Sequence, residues 1–208
     1  MILASASPRR RELLEELGIE PKVMTQDVDE TPRDGELPTN LVERLAILKA
    51  NACAASLPED LRGETVLAAD TIVWSPDGEV LGKPSSPEDA RNTLRKLSGK
   101  KHHVSTGVCL VSSVHGERRS ESFVETTAVT FHELSDEQID AYVRSGEPSD
   151  KAGAYGIQGR GRLLVASIEG DYYNVVGLPI ARTMRALEAL GTDSDRKWTI
   201  AGLLKGVA

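Results

Sequence analysis

Cysteine is scarce in this sequence: the 208 residues include only Cys53 and Cys109, which lie far apart and have no histidine beside them. This excludes a disulfide framework and a zinc-binding pattern, and it is typical of proteins from a reducing cytoplasm. No apolar run approaches the length that spans a membrane, and the N-terminal arginines follow the first apolar stretch, unlike those of a secretory signal. We therefore expect a cytoplasmic protein without a membrane partner.

Positive charge is also limited, since 25 lysines and arginines face 32 aspartates and glutamates and leave a net charge of −7. Proteins that bind nucleic acid usually have a basic surface, so we expect no direct nucleic-acid partner. Hydrophobic residues make up 39% and charged residues 27% of the chain, as in a soluble globular protein with one core, undivided or split into two lobes. A basic cluster in such a protein is a local feature that suits a small anionic ligand.

Strand and helix patterns alternate along the chain, without internal repeats or low-complexity segments. Because hairpins are antiparallel, this order predicts an α/β or α+β fold with a mixed sheet. The predicted strands are 1–4, 20–28, 65–74, 79–82, 103–114, 119–131 and 163–168, the fifth and sixth being joined at His115-Gly116. The predicted helices are 8–17, one from near Thr39 with Leu41, Leu45, Leu48 and Ala52 as apolar positions, and others from Ser86 to Gly99, from Ser135, and from Pro179 to Gly191.

Three arginines, Arg9–Arg11, stand in the first turn of the predicted helix 8–17, where Ser7 is the N-cap and Pro8 the first helical residue. A helix start exposes N–H groups and a positive dipole end, which acidic residues normally accompany. The like charge costs stability, so we expect an outside polyanion to offset it, and a phosphate chain fits. Replacing Arg9 or Arg10 should therefore impair turnover without unfolding the protein.

Asp70 interrupts an otherwise apolar strand, with Val66–Ala69 before it and Thr71–Val73 after it. A buried carboxylate is costly unless it is paired or holds a metal ion, so one interpretation is a functional acid. The other, equally compatible with the position, is a structural acid that caps a helix or pairs with an arginine.

Two lysines and a second acid are candidates for the same site. Lys83 follows the hairpin that the strand of Asp70 begins, and the hairpin could bring it back toward Asp70. Lys49 lies within a helical segment, and Glu30 ends an acidic run. The alternative for the lysines is a solvated surface, and for Glu30 a polar loop.

The stretch 150–161 contains four glycines, which allow close approach of the backbone to a ligand. It matches neither a Walker A loop nor a dinucleotide fingerprint. Gln158 offers the paired donor and acceptor that can read a base edge, although a glycine-rich turn with a surface glutamine is the alternative. His102 and His103 are adjacent and would point to opposite faces of a strand, so we expect structural roles for them rather than a shared metal.

Together these segments resemble the Maf family of nucleoside triphosphate pyrophosphatases. The resemblance covers about residues 2–190, and several motifs in a fixed order make it specific. The matching stretches are Ser5–Arg10, Glu30, Glu43–Ala46 with Lys49, Ala68–Thr71, Gly82–Pro84, Leu97–Gly99, Asp150–Gly159 and Gly170–Pro179.

The resemblance implies a Maf/ITPase-like fold in which a mixed, twisted sheet is flanked by helices and two lobes surround a deep cleft. It implies one catalytic domain over residues 1–190, a tail at 191–208 outside the family pattern, and a homodimer. It also implies hydrolysis of a nucleoside triphosphate to the monophosphate and pyrophosphate with Mg²⁺ or Mn²⁺. The form of residues 154–159 resembles the subgroup that acts on dTTP and UTP, with CTP or modified pyrimidines as further substrates, rather than the subgroup for 7-methyl-GTP.

The resemblance also implies roles for individual residues. Asp70 looks like the general base, or like a metal ligand together with Glu30, and both roles for Asp70 stay open. The residues that look catalytic are Asp70, Glu30, Lys49 and Lys83. Those that look like substrate-binding positions are Ser7 and Arg10 for phosphate and Arg9, Thr71 and Gln158 for the base.

These residue types suit the reaction. Attack of water at the α-phosphorus needs a carboxylate to orient the water, a metal ion to draw charge from the phosphate, and cations for the leaving pyrophosphate. Two other functions remain open: a pyrophosphatase whose main target is a modified or methylated nucleotide, and a regulatory nucleotide-binding protein that affects cell division.

Overall fold

The computed structural model describes residues 1–114, 117–191 and 198–206, with seven strands and seven α-helices among them. The strands are β1 (Ile2–Leu3), β2 (Lys22–Val23), β3 (Val66–Trp74), β4 (Val80–Leu81), β5 (Lys101–Val114), β6 (Glu117–Phe131) and β7 (Val165–Glu169). The helices are α1 (Pro8–Glu15), α2 (Pro38–Ser56), α3 (Pro87–Leu97), α4 (Asp136–Arg144), α5 (Tyr172–Val176), α6 (Ile180–Leu190) and α7 (Ile200–Leu204).

The strands form one seven-stranded sheet in the order β2-β1-β3-β5-β6-β7, with β4 paired to β3 beside this path. β1 pairs in parallel with both β2 and β3, whereas β4 is antiparallel to β3 and β7 is antiparallel to β6. The prediction of an α/β fold with a mixed sheet is therefore confirmed.

Several boundaries differ from the predicted ones. The strand expected at 20–28 is reduced to β2, because Val23 is 43% exposed and the residues that follow bury too little apolar surface to hold a longer strand. Leu48, expected on the apolar side of α2, is 37% exposed, since Ala46 and Ala50 supply the buried face instead. The predicted junction at His115-Gly116 lies outside the described residues.

Two helices, α5 and α7, were not expected from the sequence, and α5 lies within the family pattern. It begins after Asp171, whose carboxylate Oδ1 accepts the backbone N–H of Tyr173 at 2.7 Å. An aspartate that caps the first turn in this way is a recognised start signal, but a five-residue helix has no periodicity that sequence reasoning could use.

Capping residues mark the end of α1 and the start of α4. After α1, Gly18 adopts a φ of +74°, and the N–H groups of Gly18 and Ile19 donate to the carbonyls of Glu15 and Leu14 at 2.8 and 3.0 Å. This is a Schellman arrangement, and Leu14 and Ile19 are both fully buried beside it. At the start of α4, Ser135 and Gln138 form a reciprocal capping box.

The chain divides into two compact units, of which the first comprises residues 1–70, 106–124 and 177–208 and the second residues 71–105 and 125–176. The core of the first unit joins α2 to β1, β3 and β5 through Ile2, Ala46, Ala50, Val66 and Val111, among others. The core of the second unit joins α3 and α4 to the strands through residues that include Leu94, Phe131, Ile139, Tyr142 and Tyr155. The deep cleft implied by the resemblance stays a prediction.

Within the described part of the chain, no helix is both long and apolar enough to cross a membrane.

Candidate acid–lysine site

The first unit brings three of the predicted site residues into direct contact. The ammonium Nζ of Lys49 lies 2.5 Å from Oδ1 of Asp70 and 2.8 Å from Oε1 of Glu30. The side chains of Lys49 and Asp70 are 16% and 14% exposed, whereas that of Glu30 is 58% exposed. One cation is therefore shared by a largely buried carboxylate, that of Asp70, and a more accessible one, that of Glu30.

The elements that carry these residues explain how they meet. Lys49 lies on α2 next to the buried Ala50, so packing of that helix on the core fixes the base of its side chain. Asp70 follows four fully buried residues, Val66–Ala69, along β3. Glu30 lies in a stretch without regular structure that precedes α2, so its position depends on local contacts.

An ion pair between Arg44 and Glu36 supplies those local contacts. Nε and Nη2 of Arg44 donate to the two carboxylate oxygens of Glu36 at 2.6 and 2.7 Å, and Nη2 also donates to the backbone carbonyl of Thr31 at 3.1 Å. The hydrogen bonds from Arg44 lower the pKa of Glu36 to about 2. Because Thr31 follows Glu30 directly, this fork ties the segment of Glu30 to α2.

The candidate residues predicted from the sequence did not include this pair. Glu36 and Arg44 lie on opposite sides of a helix start, which no fixed helical or strand spacing describes. The sequence signal for this pair was an acid, Glu36, just before the helix start at Pro38 and an arginine, Arg44, within the helix that follows.

Two of the three arginines in the first turn, Arg10 and Arg11, have different surroundings. Arg10 is buried, and its guanidinium donates to the backbone carbonyl of Gly177 and to Oγ of Ser5, each at 2.8 Å. Burial lowers the pKa of Arg10, while the nearby carboxylate of Asp70 raises it and the charge of Arg9 lowers it. Arg11 is exposed and pairs with Glu15 one turn on, at 2.7 Å.

Ser7 occupies the N-cap position of α1, but within the described residues its side chain makes no capping hydrogen bond. Its backbone N–H donates to Oγ of Ser5 at 3.3 Å instead. Ser5 is therefore a common acceptor for Ser7 and Arg10, which ties the loop before α1 to the buried arginine.

The second unit holds the remaining predicted residues, Thr71, Lys83 and Gln158. Thr71 follows Asp70 along β3, and the side chains of Lys83 and Gln158 are exposed. The segments of Lys83 and Gln158 are linked through the backbone, because the N–H of Gly153 donates to the carbonyl of Gly82 at 3.1 Å. The glycine-rich stretch thus forms a structured loop against the segment of Lys83.

The two histidines have the structural roles expected from the sequence. His102 is fully buried, and its Nε2 lies 2.8 Å from the hydroxyl of Tyr155 within the glycine-rich stretch. Burial lowers the pKa of His102 to about 4, so the ring is neutral at physiological pH. His103 stacks on Trp74 with 4.4 Å between the ring centroids.

The acid pair also suits a hard divalent cation. Across the described ranges, no group of three or more His, Cys, Asp and Glu side chains is placed to hold a metal ion. Mg²⁺, however, commonly takes one or two carboxylates and completes its shell with water and substrate phosphates. Glu30 and Asp70, which already share one ammonium, are a donor set of that kind.

Comparison with known families identifies the class of protein. The family model described as "Maf-like protein" matches residues 1–190, and the chain belongs to the Maf family. This confirms the family that the sequence motifs indicated.

Curated relatives named dTTP/UTP pyrophosphatase are similar over most of their length. That of Symbiobacterium thermophilum is 53% identical over 193 residues, which are 92% of this chain and 94% of the relative. Those of Moorella thermoacetica and Bacillus mycoides are 51% and 48% identical, each over 93% of this chain and 96% of the relative.

Proposed function

We propose that this protein is a nucleoside triphosphate pyrophosphatase that hydrolyses dTTP and UTP to the monophosphate and pyrophosphate. The observation that carries the proposal is the placement of Lys49 between Glu30 and Asp70 in a member of the Maf family. The names of the curated relatives support the substrate class and the assignment to hydrolases of phosphoric anhydrides.

Asp70 is the proposed general base. Its Oδ1 accepts from Lys49, so Oδ2 is the atom that would take the proton of the attacking water. The charge-assisted hydrogen bond from Lys49 holds this carboxylate in one orientation. Lys49 thereby acts on the base and also supplies positive charge for the phosphates.

A divalent cation is part of the proposal, with Glu30 as a ligand when Asp70 is the base, and with Glu30 and Asp70 as ligands in the alternative role that the family pattern gives Asp70. When bound, Mg²⁺ or Mn²⁺ would withdraw charge from the phosphate oxygens and so favour attack at phosphorus. Glu30 is the more exposed of the two acids, which suits a ligand that meets the cation as it arrives with the substrate.

The roles proposed for the other residues follow the family pattern. Ser7, Arg10 and Lys83 are proposed to bind phosphate, and Arg9, Thr71 and Gln158 to select the base. Arg10 is already committed to Gly177 and Ser5, so its contribution to phosphate binding is proposed to be that of a buried positive charge. Residues 1–190 are the proposed catalytic domain, residues 191–208 an appended tail, and a homodimer is the proposed assembly.

The test is pyrophosphate release from dTTP, UTP, CTP, GTP and modified pyrimidine triphosphates with Mg²⁺ or Mn²⁺. We expect dTTP and UTP to have the highest kcat/KM. A modified pyrimidine preferred by more than about tenfold, or roughly 1.4 kcal/mol of transition-state binding, would make that nucleotide the true substrate class. Tight binding of nucleotides without hydrolysis would instead support a regulatory function.

A further inference from the structure

The backbone beside Gln158 is held by a single carboxylate that the proposed reaction does not use. Glu147, shortly after α4, accepts the N–H of Arg160 through Oε2 at 2.9 Å and the N–H of Gly161 through Oε1 at 3.1 Å. These donors lie two and three residues beyond Gln158. One end of the segment that carries Gln158 is therefore fixed to Glu147.

Tyr142 fixes the other end of the segment. Its hydroxyl accepts the N–H of Gly156 at 3.2 Å and donates to Oε1 of Glu147 at 3.1 Å. The phenol itself is 5% exposed and extends from α4 into the core, so it offers a rigid anchor. Gln158 consequently lies between two backbone attachments that belong to one hydrogen-bonded pair.

The segment also fits closely around this pair. A Cβ atom at Gly159, where φ is +63°, would lie 2.8 Å from Oε1 of Glu147. A Cβ atom at Gly161 would lie 2.8 Å from the hydroxyl of Tyr142. Gly159 and Gly161 therefore let the backbone lie directly against Glu147 and Tyr142, where a larger residue at either position would clash.

The surroundings of Glu147 favour the ionised form of its carboxyl group, which is the form that accepts these hydrogen bonds. Burial by itself raises the pKa of this carboxyl, but hydrogen bonds from the N–H groups of Arg160 and Gly161 and from Tyr142 outweigh it, and the net pKa is lowered. Hydrogen bonds to a carboxylate are stronger than those between neutral groups, and leaving a backbone N–H without its acceptor is costly.

We propose that Glu147, together with Tyr142, is a positioning residue for base selection, because the pair holds the backbone on both sides of Gln158. The side chain of Gln158 is exposed and has several rotatable bonds. Because the backbone around it is already ordered, only the side chain loses conformational freedom when a base binds. The inference rests on the proposed function and deepens it, since it concerns the same base-reading residue.

The first test compares Glu147→Gln with the exposed control Glu137→Gln on α4. The amide of the variant turns a donor toward one of the backbone N–H groups, so the segment should loosen. We expect the ratio of kcat/KM for dTTP over GTP to fall about tenfold, as in Gln158→Ala. In the Gln158→Ala background, Glu147→Gln should change that ratio by less than about twofold, because coupled residues are not additive.

A second test does not need activity. In the nucleotide-free protein, amide hydrogen exchange at Arg160 and Gly161 should be about tenfold faster in Glu147→Gln and unchanged in Glu137→Gln. If Glu147→Gln does not fold, Tyr142→Phe replaces it, since it removes the hydroxyl and keeps the ring, and exchange at Gly156 becomes the readout.

Three results would overturn the inference: an unchanged base ratio in a folded Glu147→Gln variant, additive effects with Gln158→Ala, or unchanged exchange at the anchored amides. A wild-type protein that hydrolyses no triphosphate would instead overturn the proposed function. The exchange rates then still decide whether Glu147 anchors the segment, so the two failures are distinguishable.

Discussion

Lys49 and Asp70 form a hydrogen-bonded ion pair, with 2.5 Å between Nζ and Oδ1. Both side chains are largely withdrawn from solvent, so the attraction is screened less than in a surface pair. Glu30 reaches the same ammonium from a more exposed position, 2.8 Å away. The lysine therefore holds two acids together that would otherwise repel each other.

Replacing Lys49 by Met should lower kcat for dTTP by about 100-fold or more, because the acids lose their shared cation and the phosphates lose a positive charge. Steady-state pyrophosphate release measures this, with the exposed Lys22→Met on β2 as the matched control. A kcat within about threefold of wild type would remove Lys49 from the proposed site.

Substitution by Met should destabilise the protein far more at Arg10 than at Arg11. Arg10→Met removes two buried hydrogen bonds, to Gly177 and Ser5, and should lower the free energy of unfolding by about 2–4 kcal/mol. Arg11→Met removes an exposed pair with Glu15 and should change it by less than about 1 kcal/mol. Urea denaturation measures both, and equal effects would contradict the distinction.

That comparison shows where sequence reasoning reaches its limit. The sequence predicts Arg9–Arg11 as three like charges at a helix start, whose removal should not destabilise the protein. The helix over these residues was predicted correctly. Which arginine is buried, however, depends on a contact with Gly177, which lies far along the chain. Because Arg10 is buried and hydrogen-bonded, we now expect its replacement to destabilise the protein.

His102 should make stability depend on pH below neutrality. Its pKa is about 4 in the folded protein against 6.5 for an unperturbed histidine, so between these values the unfolded chain binds a proton that the folded protein does not. The stability contribution is therefore complete above about pH 6.5 and is lost as pH falls toward 4, by about 3 kcal/mol in all.

His102→Gln tests this assignment, because glutamine can still bond to the hydroxyl of Tyr155 but does not titrate. Thermal or urea unfolding between pH 4 and 7 should show a steeper loss in wild type than in the variant. Parallel curves for the two proteins would contradict the assignment.

Gly153 should be far less tolerant of alanine than Gly18. Both have positive φ, +68° and +74°, so both substitutions cost about 1 kcal/mol in backbone strain. At Gly153 the new methyl would also lie 2.8 Å from Val73, whereas Gly18 has open space. Gly153→Ala should therefore cost a further 1–3 kcal/mol or so in unfolding free energy, and equal losses would contradict this.

Local patterns predicted most elements of the fold, because caps, turns and apolar runs act over a few residues. The helix that begins at Ser135 and the hairpin of β3 and β4 are examples. The site required more, since Glu30 has no element of its own and reaches Lys49 through the fork of Arg44 and Glu36. Contacts of that kind join segments at no fixed spacing and become visible only in the folded chain.

Pyrophosphate release from dTTP and UTP by Asp70→Asn tests whether Asp70 is the general base. Asparagine keeps an oxygen that can accept from Lys49 but is no base, so the fold and nucleotide affinity should be retained. We predict that turnover falls by about 1000-fold or more while Kd, measured by calorimetry, stays within about threefold of wild type. Turnover equal to that of the wild type would contradict the role of Asp70 as general base and the proposed site around Lys49.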